Sequence, residues 1–180
     1  MVLLAGTNEP LVIRAETVDD VAAIRAVNVA AFGRENEARL VEASRRSPDF
    51  IRELSLVADE AGHVVGHILF GAIRILSRTS AIPALALAPM AVLPGLQNRG
   101  IGSRLVRAGL GECRRLGHRI VIVVGHPAYY PRFGFSSARA YRLEAPFPVP
   151  DSAFLALELV PGALAEARGL IDYPPAFSEV

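Results

Sequence analysis

Gln97-Asn98-Arg99-Gly100-Ile101-Gly102-Ser103 carries the clearest chemistry in the chain, because two glycines stand where an apolar run gives way to an arginine-bearing amphipathic segment. A strand that turns directly into a helix leaves the first N–H groups of that helix without partners, and glycines let an anion come close to them. Such a turn suits a pyrophosphate. Charge-assisted hydrogen bonds contribute about 1.5–3 kcal/mol each. An exposed helix dipole adds only about 0.3–1 kcal/mol. Backbone amides therefore dominate the expected site, and no single arginine does. Farther along, Gly125-His126-Pro127-Ala128-Tyr129-Tyr130-Pro131-Arg132-Phe133-Gly134-Phe135 gathers an imidazole and two phenols in an aromatic, proline-bracketed helix or turn.

The elements around these motifs follow from periodicity. Leu85 to Leu93 is short, apolar and turn-bounded, which predicts a buried strand ending at Pro94-Gly95. A helix is expected from Gly100 to Leu116, with Ile101, Leu105, Gly109, Cys113 and Leu116 on its buried face. Arg104, Arg107, Arg114 and Arg115 lie opposite, and Glu112 falls unexplained inside the apolar arc. Arg119 to Val124 reads as the cleanest buried strand. Upstream, Leu11 to Arg14 reads as a strand. Thr17 with Asp20 then resembles a capping box opening a helix over Val18 to Ala31. A second helix spans Glu37 to Arg46 and stops before Pro48. Leu54 to Asp59 and Val64 to Leu76 form a predicted hairpin. Strands near Tyr141 to Glu144 and Ala153 to Leu159 flank the proline-rich loop Ala145 to Pro150, and the chain beyond Pro161 is expected to pack loosely.

With 180 residues, the chain suits one domain over residues 1–180. A formal charge of +1 gives no reason to invoke nucleic acid or an anionic membrane. All 19 basic residues are arginine, which excludes lysine Schiff-base chemistry. The lone Cys113 can form no internal disulfide, and the scattered His63, His67 and His118 give no metal-binding pattern. Met1 to Gly6 lacks a charged leader region, and no apolar run is long enough to span a bilayer, so a cytoplasmic location is expected. The 52% hydrophobic content leaves a homodimer face open.

The order strand, helix, helix, hairpin, strand, Gln97-x-x-Gly100-x-Gly102 helix, strand, Tyr130-x-x-x-Gly134-Phe135 resembles the GNAT N-acetyltransferase superfamily over most of the chain. The resemblance implies a layered α/β fold: a mixed, mostly antiparallel sheet of about seven strands, splayed between the fourth and fifth, with about four helices. It implies acetyl-CoA as cosubstrate, with no metal. Met90, Ala91 and Val92 would hold the pantetheine arm, and an N–H near Ala91 or Val92 would polarise the thioester carbonyl. Gln97, Asn98, Arg99, Gly100, Ile101, Gly102 and Ser103 would wrap the pyrophosphate, and Phe133 would join the coenzyme site. The acceptor side would come from the first two helices and the loop around Pro146 to Asp151.

By the same resemblance a small-molecule or peptide amine attacks the thioester directly, and Tyr130 protonates the departing sulfur. With ordinary pKa values of about 10 for a phenol and about 8.5 for a thiol, that transfer is read as needing no special tuning. A base is less evident. Many family members carry a glutamate in the fourth strand, but Leu85 to Val92 contains no acid. Glu37 and His126 are the candidates, and proton loss to solvent or an acceptor of lower pKa would need neither. Tyr129 is assigned to packing. A non-catalytic coenzyme-binding or sensory domain on the same fold is the alternative, separated from an enzyme by turnover on amines.

Overall fold

The computed structural model describes residues 10–178. Ala61 and Gly62 both take positive φ (55° and 78°), the backbone of a two-residue hairpin turn, and fold β2 (Ser55–Glu60) onto β3 (His63–Leu76). The antiparallel run extends on one side to β1 (Val12–Ala15) and on the other to β4 (Ala81–Val92). From β4 the chain crosses through α3 (Ile101–Arg115) and returns as β5 (Ile120–Val124), parallel to β4. Beyond β5 come β6 (Ser136–Ser137), β7 (Leu143–Glu144), β8 (Phe154–Glu158) and β9 (Gly169–Asp172). The main path of the sheet is β1-β2-β3-β4-β5-β8-β6. Off this path, β9 pairs with both β3 and β7.

The sheet is mixed and largely antiparallel, as expected, but the described residues form nine strands rather than about seven. The two not expected are β6 and β9, of two and four residues, too short to leave a periodic signal. Three α-helices are present rather than four: α1 (Val21–Phe32), α2 (Asn36–Arg46) and α3. The aromatic segment forms a single 3₁₀ turn, Tyr130–Phe133, ended by Gly134 at φ 98°.

The pairing of β4 with β5 covers only Leu85–Leu87 against Val121–Val123. Just beyond it, Ala88 and Pro89 stand against the single Leu69 of β3, so β4 bulges there. Pro89 has no N–H for a ladder bond. Bulge and proline together end the pairing, and the two strands part.

Helix α3 covers one face of the sheet, burying Ile101, Leu105, Val106, Leu110 and Cys113 against Ile68, Phe70, Leu85 and Val121. Gly109 lies where a Cβ would come within 2.3 Å of the Phe70 ring, so a side chain there would displace the core. Leu116, expected on the buried face, is 36% exposed because the helix ends one residue before it. Glu112 pairs with Arg115 at 2.8 Å, which explains its tolerance in the apolar arc. On the other face α1 and α2 bring Ile24 and Val41 onto Val57 and Leu69. The segment beyond Pro161 is not loosely packed: Leu164, Ala167 and Ile171 are buried with Ile75, Ile122 and Phe154. Its apolar residues lack a period because β9 is only four residues long and depends on its partners.

A buried polar chain ties the helices to this sheet. His67 is fully buried, with Nε2 2.9 Å from Ser55 Oγ and Nδ1 3.3 Å from Asn28 Nδ2. Ser55 donates to Glu16 at 2.6 Å, and Arg45 clamps the same carboxylate at 2.8 and 3.0 Å. Because the serine proton goes to Glu16, His67 donates from Nε2 and accepts at Nδ1, and is neutral. Burial pushes its pKa from 6.5 down to about 4, despite the nearby Glu16. Between these values the unfolded chain binds the extra proton and the folded chain does not. Folding stability therefore falls as pH drops through that window, by about 3 kcal/mol in all. Thermal melts from about pH 7 to about pH 4 should show this loss, and His67→Gln should remove its share of the slope. A melting temperature that stays flat across the window would exclude it.

Candidate active site

The divergence of β4 and β5 opens a cleft of 920 Å³ with the start of α3 along one wall. Gly100 caps α3 at φ 83°, and the first helical bond runs from the N–H of Arg104 to its carbonyl at 3.1 Å. The N–H groups of Ile101, Gly102 and Ser103 are thus left without helical acceptors, and all three residues line the cleft. The two glycines serve different needs. A Cβ at Gly100 would meet nothing within 4 Å, so that glycine answers to its left-handed backbone. A Cβ at Gly102 would lie 3.0 Å from Tyr129 Oη and 3.3 Å from the Met90 sulfur, so that one answers to space. Asn98 completes the turn at φ 61°. Gln97 lines the cleft, but its amide donates to Val92 O at 3.1 Å, so its side chain braces the turn.

Met90, Ala91 and Val92 line the same cleft on the stretch of β4 that has lost β5 as partner. Opposite them lies Tyr130, 8% exposed, its ring against the Gly125 backbone and edge-on to Phe135 at 5.7 Å. Among the described residues only Asn28 Oδ1 and Ser44 Oγ are buried without a hydrogen bond. The Tyr130 hydroxyl makes no such bond either, so it opens into the cleft. Burial raises its pKa well above the ordinary phenol value, with Tyr129 adding to the effect.

Not every residue singled out in the sequence reaches the cleft. Arg99 is exposed and outside it. Phe133 meets Tyr129 edge-on at 5.3 Å with the Arg107 guanidinium 5.3 Å from its ring, also outside the lining. Tyr129, assigned to packing, does line the cleft, with the Arg132 guanidinium 4.5 Å above its ring. Adjacent tyrosines give no signal in sequence to tell which faces the glycine turn. The first two helices contribute Ala31, Phe32, Glu37 and Leu40. Glu37 is held by Arg34, whose hydrogen bonds lower its pKa against the opposing effect of burial. His126 accepts the Ala128 N–H at Nδ1, 3.2 Å away.

Behind the splay lies a second cavity of 460 Å³, which shares Leu87, Ala88 and Val124 with the cleft. Phe147, Tyr173 and Phe177 form its aromatic side. Of the loop expected to face the acceptor, Pro146 and Phe147 contribute, whereas Asp151 pairs with Arg139 at 3.0 Å. Tyr173 and Phe177 carry no periodic signal and lie in the segment expected to pack loosely. Among the described residues, no group of three or more His, Cys, Asp or Glu could hold a metal ion, and no helix is long and apolar enough to cross a membrane.

A splayed parallel pair beside a helix with free leading amides defines an acyltransferase of the N-acetyltransferase class. The acetyltransferase (GNAT) domain matches residues 12–138, and the chain belongs to that family. It is 38% identical over 133 residues to YjhQ of Escherichia coli K12, an uncharacterized N-acetyltransferase, covering 73% of this chain and 74% of the relative. YhbS of the same organism, likewise an uncharacterized N-acetyltransferase, is 32% identical over 169 residues, 93% of this chain and 99% of the relative. The crystal structure of E. coli YhbS in complex with CoA superposes with a TM-score of 0.85, covering 93% of this chain and 92% of that one. A GNAT acetyltransferase from Brucella melitensis in complex with acetyl-CoA gives 0.77 at 33% identity, covering 94% and 99%.

Proposed function

We propose that this chain binds acetyl-CoA in the cleft and transfers the acetyl group to a primary amine by direct attack, with Tyr130 as the hydrogen-bond donor to sulfur. One observation carries the reading: the free N–H groups of Ile101, Gly102 and Ser103 share a cleft with Ala91, Val92 and the unpaired Tyr130 hydroxyl. The amides would grip the pyrophosphate. The β4 edge would align the pantetheine arm, and a main-chain N–H at Ala91 or Val92 would stabilise the oxyanion, an effect of about 2.7–4 kcal/mol where such donors have been removed. The complexes of YhbS with CoA and of the Brucella enzyme with acetyl-CoA support this placement.

The proton balance differs from the one read in sequence. Moving a proton from an ordinary phenol to a thiolate is already uphill by about 2 kcal/mol, and burial of Tyr130 steepens it. Tyr130 therefore stabilises the leaving thiolate by donating a hydrogen bond, and any proton it gives is replaced by the one the acylated nitrogen sheds. Glu37, tied to Arg34 and with its pKa lowered by that bond, is a poor sink for that proton, which we route through water. A cytoplasmic location fits the reading, since Cys113 is a free, buried thiol.

Calorimetry with CoA and acetyl-CoA, followed by thiol release over an amine panel, tests the proposal. Binding of both with amine-dependent thiol release is expected. No heat from correctly folded protein refutes coenzyme binding, and binding without transfer to any amine favours the sensory alternative.

A further inference from the structure

The second cavity bears on which amine reacts, and the inference rests on the acetyl-transfer reading above. Its floor is shared with the coenzyme cleft at Leu87, Ala88 and Val124, so a nitrogen at that opening sits where the splayed strands expose the far side of the thioester. Its walls are aromatic and aliphatic: Phe147 tilts 35° to Tyr173 at 5.6 Å, Tyr173 tilts 44° to Phe177 at 5.0 Å, and Ile122 lies opposite the opening's apolar rim. The volume of 460 Å³ is at the small end for ligand pockets.

Charge is scarce there. Asp172 is the one charged residue lining the cavity among the described residues, and its carboxylate accepts from Arg74 Nε at 3.1 Å. Among the described lining residues an ammonium would therefore meet only a carboxylate already paired with Arg74, and it would lose its hydration against aromatic rings. On the coenzyme side, Glu37 is paired with Arg34 and His126 accepts the Ala128 N–H, and neither residue lines the second cavity, whose described lining therefore offers no base of its own. A site with no sink for an ammonium proton works best on an amine that arrives without one. An alkyl amine near pKa 10.4 is neutral in about one molecule in a few thousand at pH 7. An amine conjugated to an aromatic ring is neutral throughout, because its lone pair is delocalised.

We propose that the acceptor is an aromatic amine, its ring seated among Phe147, Tyr173 and Phe177 and its uncharged nitrogen at the opening between Ala88 and Val124. The nitrogen lone pair forms the N–C bond to the thioester carbonyl, and the C–S bond breaks as the tetrahedral intermediate collapses. The sulfur leaves hydrogen-bonded to Tyr130, and the proton shed by the acylated nitrogen reaches it through water, giving the anilide and the free thiol.

Aniline and cyclohexylamine, similar in size and differing in charge, are the probes, with acetyl-CoA affinity measured alongside. At pH 7 kcat/KM should favour aniline by at least about tenfold, with little change for aniline from about pH 6 to about pH 8. Phe147→Ala, at a half-exposed position that tolerates truncation, should raise the aniline KM by about fivefold with the acetyl-CoA KM unmoved. Preference for cyclohexylamine, an unmoved aniline KM in Phe147→Ala, or bound acetyl-CoA with neither amine acetylated overturns the inference and leaves coenzyme binding standing. Failure to bind acetyl-CoA overturns the underlying reading, and the inference with it.

Discussion

Tyr130→Phe should lower the turnover number by about 10²–10³-fold while leaving CoA affinity within about twofold of wild type. The ring does the structural work: it lies over Gly125, where a Cβ would approach within 2.3 Å, and meets Tyr129 and Phe135 edge-on at 5.1 and 5.7 Å. Phenylalanine keeps all of that packing and removes only an oxygen that bonds no other described residue. Stability should therefore hold. The loss falls on the step in which negative charge builds on sulfur, where a preorganised donor is removed. Because burial keeps the phenol protonated well above its ordinary range, the rate should show no decline from Tyr130 ionisation up to about pH 10. Tyr129→Phe is the control, since its hydroxyl sits at the glycine turn and should affect coenzyme affinity more than turnover. An unchanged turnover number in Tyr130→Phe would remove Tyr130 from the role.

The contrast between the two tyrosines shows where the sequence was informative. Periodicity over long elements located β3, α3 and β5 to within a residue or two, because each buries one continuous stripe or run. Turn chemistry was equally legible at Gly100, where a left-handed cap ends a strand-to-helix connection. The short strands β6 and β9 were not. They owe their existence to partners distant in the chain, and no local pattern announces them. The same reason hid the acceptor-side cavity, whose rings come from one proline-rich loop and from residues beyond β9. Side-chain commitments were also invisible. Nothing in the order of residues says that Gln97 would brace the turn through Val92, or that His126 would spend its lone pair on Ala128.

Gly102→Val should weaken CoA binding by at least about 10²-fold, the equivalent of losing two charge-assisted hydrogen bonds of about 1.5–3 kcal/mol each. The new side chain would begin 3.0 Å from Tyr129 Oη and 3.3 Å from the Met90 sulfur, filling the space above the three free N–H groups. Tyr129 and Met90 are flexible enough to move aside, so folding should be affected less than binding. Gly100→Ala gives the opposite pattern. Its Cβ meets nothing within 4 Å, but a φ of 83° is strained for alanine, so about 1–3 kcal/mol of stability should be lost with a smaller change in affinity. Arg99→Ala, at an exposed position outside the cleft, should change affinity by less than about tenfold, as a screened surface charge does. Calorimetry on the three variants, paired with thermal melts, separates space, backbone conformation and charge. If Arg99→Ala weakens binding more than Gly102→Val does, side-chain charge rather than the amides of α3 holds the coenzyme.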